Sequence, residues 1–235
     1  MIFDFLNDLG LSSAVKDKLN CYVDILVSEN KKFNLTGKKS VEDVWDDLVY
    51  ESVLFANKFD AVSDVPRGTS IIDVGTGAGI PGIPFAIVRQ DINVYLLDSR
   101  KKKCVFLEET KSKMGLTNIT VINRRAEDTA NDHNFREKFY AVSAKALAPL
   151  PVMLEWTAPF VKVHGLIYAF KSFDSEDEFK SAKNSMTKLS TRLKSSDCYI
   201  TPFTGRKRVF YIFEKTAPTD NEYPRRASVT LNHPL

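Results

Sequence analysis

Two amphipathic stretches open the chain. Val15, Leu19, Tyr22, Leu26 and Phe33 recur at helical spacing over 13–33, and Val41, Val44, Trp45, Leu48, Phe55 and Phe59 do the same over 41–59, each fitting a 3.6-residue period. Gly37 separates them. One stripe per helix leaves each in need of a body to lie on. The pattern changes at Pro66-Arg67-Gly68, after which short β-branched runs alternate with helical periods. Strands are expected at Ser70–Val74, Asn93–Asp98, Ile119–Asn123, Tyr140–Ala144 and Gly165–Phe170, and helices at Lys101–Met114, Pro151–Val161 and Glu176–Leu193. Cys198–Phe203 and Val209–Glu214 read as two further strands joined through Gly205, with no room for a helix between them. A βαβ series of this kind builds a parallel sheet covered on both faces, and the closing hairpin adds one antiparallel strand. The expected organisation is a helical extension over 1–66, an α/β core over 67–217 and a basic, irregular tail over 218–235.

The turn after the first strand carries the chemistry. Asp73-Val74-Gly75-Thr76-Gly77-Ala78-Gly79-Ile80 follows a strand and opens a helix. Side chains at such a turn would keep the backbone away from a bound nucleotide, and the helix N-terminus behind it favours anionic or polar groups. The next strand ends at Asp98, nineteen residues after Gly79, where a carboxylate can accept hydrogen bonds from both ribose hydroxyls. The dinucleotide fingerprint GxGxxG would need its third glycine at Ile80; here it comes one residue early, at Gly79. GxGxG after an acidic strand end is the pattern of S-adenosylmethionine-dependent methyltransferases. Tyr211 and Lys215 have the YxxxK spacing of a dehydrogenase proton relay, but they lie on a strand-like run where that relay requires a helix.

Composition narrows the setting. The chain has 235 residues, 43% of them hydrophobic and 27% charged, as in ordinary globular proteins. The net charge of +3 hides an asymmetry: residues 1–66 hold 7 basic and 12 acidic groups, and residues 67–235 hold 26 and 18. An acidic front on a basic body makes a polyanion partner plausible. Cys21, Cys104 and Cys198 show no CxxC spacing, and His133, His164 and His233 do not cluster, so neither a disulfide framework nor a metal site is expected. No apolar run approaches the ~20 residues of a membrane span, and Asp4 and Asp8 stand where a signal peptide would carry Lys or Arg. A cytoplasmic monomer is expected.

Asn34-Leu35-Thr36, the long block Asp73-Val-Gly-Thr-Gly-Ala-Gly-Ile-Pro-Gly-Ile-Pro84 and Leu97-Asp98-Ser99 followed by Lys101-Lys102-Lys103 together resemble the RsmG (GidB) family. Ala126-Glu127, Ala144-Lys145-Ala146, Tyr168-Ala169-Phe170-Lys171 and Tyr223-Pro224-Arg225-Arg226 follow in family order. The resemblance implies a class I, Rossmann-like methyltransferase fold: a mostly parallel seven-stranded sheet with one antiparallel strand, plus an N-terminal helical extension. It implies S-adenosylmethionine as cofactor, 16S ribosomal RNA in the 30S subunit as partner, and methylation at N7 of guanine 527. Cofactor positions carried over are Gly75, Ile80, Ala126, Glu127 and Lys145, beside Gly77, Gly79 and Asp98 from the turn itself. Two positions depart from the family pattern. Lys145 replaces an Arg, and Leu48-Val49-Tyr50-Glu51-Ser52 replaces a His-x-x-Asp-Ser stretch.

Guanine N7 presents an in-plane lone pair, so its methylation needs alignment and no general base. The chain lacks the Asn/Asp-Pro-Pro-aromatic motif of exocyclic-amine methyltransferases and the Pro-Cys nucleophile of cytosine-C5 enzymes. Lys145 and Lys171, at the ends of the fourth and fifth strands, are the candidate catalytic residues, placed where open α/β sheets bind ligands. Lys101, Lys102, Lys103, Arg124, Arg125, Arg225 and Arg226 are the candidate RNA contacts, and Arg206-Lys207-Arg208 adds a further basic cluster. Competing readings are a methyltransferase of a small molecule or protein, and a non-catalytic RNA-binding assembly factor that keeps the fold.

Overall fold

Seven strands form one sheet in the order β3-β2-β1-β4-β5-β7-β6: β1 (Ser70–Val74), β2 (Asn93–Asp98), β3 (Ile119–Asn123), β4 (Phe139–Lys145), β5 (Val161–Ser172), β6 (Thr191–Ile200) and β7 (Lys207–Lys215). This is a computed structural model that describes residues 10–38, 40–62 and 65–235. Asp4 and Asp8, on which the export expectation rests, and the side chain of Phe33 lie outside what is described. β1 to β5 pair in parallel, and β7 runs antiparallel between β5 and β6.

The central strands are apolar on both faces because both faces are covered. Ile71, Leu96, Ala141, Leu166 and Tyr168 point into one core, and their neighbours Ile72, Leu97, Val142, Ile167 and Ala169 point into the other. The first core also receives the N-terminal helices. α1 (Ser13–Phe33) buries Leu19, Tyr22 and Leu26 there. Its Ser12 cap accepts from the Val15 N–H, and Asn34 ends it in the left-handed conformation. The second stripe is a helical run over 41–62: α2 (Val41–Val44), a π-helical segment (Trp45–Tyr50) and α3 (Glu51–Val62). The wide turns bury Trp45, Asp46, Asp47, Leu48 and Val49 in succession, which a regular amphipathic helix would not do. Phe55 and Phe59 lock α3 onto Phe85 and Tyr168 through ring contacts of 4.6–6.2 Å.

Along the core, α4 (Gly82–Val88), α5 (Lys101–Met114), α6 (Ala126–Ala130) and α7 (Leu150–Thr157) follow β1, β2, β3 and β4. The helix expected over 176–193 is instead two short ones, α8 (Glu176–Ser181) and α9 (Lys183–Lys188), and the strand expected from Cys198 begins at Thr191. β6 is an edge strand with mostly solvent-facing side chains; its polar residues carry no alternation, and pairing with β7 decides its conformation. The tail is not wholly irregular. It forms α10 (Ala227–Asn232) and is fastened at two points. Arg136 donates to the carbonyls of Thr219, Asp220 and Tyr223 at 2.8–3.0 Å, and Arg225 grips the fully buried Glu155 of α7.

Candidate active site

Asp73, at the end of β1, organises the glycine-rich turn. Its carboxylate is fully buried and accepts from the Thr76 hydroxyl at 2.6 Å, the Ser143 hydroxyl at 2.9 Å and the Gly82 N–H at 3.1 Å. The turn, β4 and the start of α4 are thereby tied to one side chain. Burial pushes the Asp73 carboxyl up to about 6, against the pull of those three hydrogen bonds. From below, the buried Tyr22 hydroxyl of α1 donates to the Ala78 carbonyl at 2.7 Å, so the N-terminal helix is part of the turn's support. From the side, Asp98 closes the turn: one oxygen accepts from the Gly77 N–H at 2.9 Å and the other from the Arg100 N–H at 2.8 Å.

A cavity of about 280 Å³ opens over this turn, lined by Gly75, Asp98, Lys103, Ala126, Glu127 and Leu147 among others. Gly75 sits at φ +71°, and a Cβ there would lie 2.5 Å from Leu147 Cδ1. The bare backbone is therefore what keeps the cavity open on that side. On another wall Trp156 holds an indole N–H that is buried without an acceptor among the described residues. A glycine cradle, a carboxylate at the end of the second strand and a donor in need of a partner suit a nucleoside-bearing cofactor.

A second cavity of about 290 Å³ adjoins the first through Ala146, just past the end of β4. Its walls carry Lys38, Asp47, Glu51, Lys145, Phe170, Lys171 and Arg208. Glu51 is 1% exposed and holds three donors: the Lys145 ammonium, the Tyr199 hydroxyl at 3.0 Å and, at 3.4 Å, Arg208 Nε. Asp47, equally buried, takes Lys38, Arg206 at 2.7 Å and Arg208 at 3.2 Å. Burial works against its charge, but Lys38, Arg208 and Lys145 outweigh that and hold its carboxyl below the usual range. The Tyr199 hydroxyl is pushed well up, first by burial and then by Glu51. Lys145 Nζ stands 5.8 Å from the centre of the Phe170 ring. The site thus offers an apolar wall at the buried Phe170, fixed cations and fixed carboxylates beside the glycine-lined cavity.

The family model described as rRNA small subunit methyltransferase G, GidB, matches residues 15–206. The chain belongs to the GidB family. It is 35% identical over 227 residues to Ribosomal RNA small subunit methyltransferase G of Oenococcus oeni, covering 97% of this chain and 92% of that protein. It is 34% identical over 234 residues to the protein of the same name from Carboxydothermus hydrogenoformans, covering 98% and 97%. Among solved structures it resembles M. jannaschii TYW2 in complex with AdoMet (TM-score 0.53, 17% identity, 70% of this chain and 76% of that one). It also resembles an rRNA methylase from Streptococcus thermophilus (TM-score 0.50, 16% identity, 70% and 95%). The sheet is the seven-stranded, mostly parallel one of class I methyltransferases.

Against this GidB frame, the residues singled out in the sequence fall into groups. Gly75, Asp98, Ala126 and Glu127 line the first cavity. Gly77 and Gly79 shape the turn, and Ile80 is buried in the core behind it. At Gly79 a Cβ would run into Ile83 and Leu107. Lys145 lines the second cavity, with Glu51 on its ammonium. Lys171 also lines it, but its ammonium is turned to Glu178 and to the Ala148 carbonyl at 2.8 Å, bracing the loop after β4. Lys101 and Lys102 are exposed at the start of α5, where no acidic residue stands in the first turn and cations oppose the helix dipole. Lys103, Arg124 and Arg125 ring the first cavity, with Arg124 paired to Asp132 at 2.8 Å. Arg226 is exposed, whereas Arg225 is already spent on Glu155. Glu51 and Asp47 were not legible as site residues, and the two departures at positions 51 and 145 turn out to touch each other.

Proposed function

We propose that this chain uses S-adenosylmethionine to methylate N7 of one guanine, guanine 527, in 16S ribosomal RNA of the 30S subunit. It does so as a cytoplasmic monomer with a helical extension over 1–66, a transferase core over 67–217 and a C-terminal tail over 218–235. The observation that carries the reading is the pair of adjoining cavities. The first is glycine-lined with a carboxylate at the β2 end, and the second has an aromatic wall and polar groups of both signs.

When bound, the cofactor supplies an electrophilic methyl group on a sulfonium. Gly75, Asp98, Ala126 and Glu127 hold it in the first cavity. Across Ala146, Phe170 offers an apolar wall for a flipped-out base, and the Lys145 ammonium offers a donor to guanine O6. The acceptor nitrogen carries its own lone pair, so the residues of the second cavity align it and none needs to take a proton. Glu51 acts through Lys145, fixing the ammonium from behind. Lys171 acts through the loop after β4. Among the described residues no cluster of three or more His, Cys, Asp or Glu is disposed to hold a metal, and no helix is long and apolar enough to cross a membrane.

The test is radiolabelled methyl transfer from S-adenosylmethionine to 30S subunits from a strain lacking the modification. Stoichiometric label in the RNA, and none in free guanosine or small acceptors, is expected. Equal transfer to small acceptors, or cofactor binding without transfer, would replace the reading with one of its competitors.

A further inference from the structure

We infer that Phe173, with Lys207 beside it, is a stacking platform for an unpaired nucleotide next to the target base in the RNA strand. The inference rests on the RNA reading above. Phe173 follows the last residue of β5 and is 47% exposed. The register sets Ser172 opposite Arg208 and Ile200 opposite Lys207, which brings the ring to the loop end of the β6–β7 hairpin. Lys207 Nζ lies 5.5 Å from the ring centre. Ile200, next to it, is 60% exposed.

Three features separate this patch from a stray surface aromatic. The first is position: Phe173 directly follows Lys171 and Ser172 in the chain, and Lys207 directly precedes Arg208, and those three residues line the second cavity. The second is charge. Arg206 and Arg208 are held by Asp43, Asp47 and Glu51, while Lys207 between them has no carboxylate partner among the described residues and rests on the ring. Its charge is available to a phosphate. The third is the demand of the reaction. A base drawn into a cavity leaves its strand neighbours unstacked, and a neighbour at the cavity mouth regains stacking on a ring and neutralisation by an ammonium. Aromatic faces flanked by cations are how proteins hold single-stranded nucleic acid without reading its sequence, at ~1–3 kcal/mol per stacked base.

The test uses the full chain with two substrates. A short single-stranded RNA carrying 2-aminopurine beside a guanine reports stacking by fluorescence quenching; unmethylated 30S subunits report kcat/KM. Phe173→Ala and Phe173→Leu should lose the quench and lower kcat/KM about 5- to 150-fold, the range that one stacked base corresponds to. Phe173→Tyr should keep both, and cofactor affinity should be unchanged throughout. A Leu variant equal to wild type would make the ring mere apolar cover, as for a ribosomal protein contact, and would overturn the proposal. So would an unquenched wild-type complex, or a full quench in the Ala variant. If wild type transfers no methyl group to 30S subunits, the functional reading falls, while the quench still decides the platform.

Discussion

Removing the charge of Glu51 should cost both stability and rate, and the loss should run through Lys145. Glu51 is buried and holds Lys145, Tyr199 and Arg208. In Glu51→Gln the amide oxygen can accept only part of that set. Arg208 keeps Asp47 at 3.2 Å, so the uncompensated group is Lys145, whose side chain is 16% exposed. Breaking a fully buried pair costs ~3–5 kcal/mol. Lys145 borders a cavity that admits water, so a cost nearer ~1.5–3 kcal/mol is expected, the range for hydrogen bonds to a charged group. Lys145→Met should cost a similar amount, because Glu51 keeps its other two donors. The double variant should cost about as much as either single one. Urea unfolding of the four proteins closes the cycle, and single-turnover methylation of 30S subunits measures the same coupling in the rate. Costs that add to within ~0.5 kcal/mol would show that the two residues act independently, and would refute the assignment of Glu51 as the group that positions Lys145.

Asp73→Asn should change how stability depends on pH. The folded-state value of about 6 lies above the ordinary 3.8, so the native protein holds a proton between those values that the unfolded chain lacks; this contribution is full below about 3.8 and is lost as pH rises through 6. The variant should therefore gain up to ~3 kcal/mol relative to wild type between pH 4 and pH 8, read by chemical denaturation. An unchanged difference across that range would contradict it. Gly75→Val should abolish cofactor binding in calorimetry, because it fills the cavity wall at Leu147. Its unfolding should remain cooperative, with a loss of ~1–3 kcal/mol for a branched side chain at positive φ. Changing the exposed Lys101 and Lys102 together to Ala should raise KM for RNA and lower the salt slope by up to ~1.4, at ~0.7 per single-strand phosphate contact, with kcat kept at saturating RNA.

Much of the core was legible in the sequence. β1, β2, β3 and α5 run from the first to the last residue expected of them: the strands are short apolar runs bounded by turn residues, and α5 buries Cys104, Phe106 and Leu107 on one side and stops at Gly115 in the left-handed conformation. Of β6 only the end, from Cys198, was legible; its first seven residues fell in an expected helix or outside any element, since a mostly polar edge strand gives little apolar pattern to read. The glycine turn and Asp98 could be assigned because their chemistry is local. Glu51 could not: its contact with Lys145 spans 94 residues of chain. The acidic front was visible as a charge imbalance, but its use was not. Asp46, Asp47 and Glu51 are buried against the backbone of the β6–β7 loop and against Arg206, Arg208 and Lys145. Part of the basic body read as polyanion-binding is thus neutralised within the fold. Arg225 illustrates the same limit, because its partner Glu155 sits on a helix whose buried face no local pattern marks as acidic.

The central claim is that the second cavity presents N7 of a single guanine to the methyl group held in the first. Borohydride reduction followed by aniline cleaves RNA at 7-methylguanosine, and primer extension then maps the break. After reaction of the wild-type protein with unmethylated 30S subunits, one new break at guanine 527 of the 16S RNA is expected, absent without cofactor and reduced in Lys145→Ala. Methyl label in the RNA with no cleavage, or cleavage at several guanines, would contradict the account.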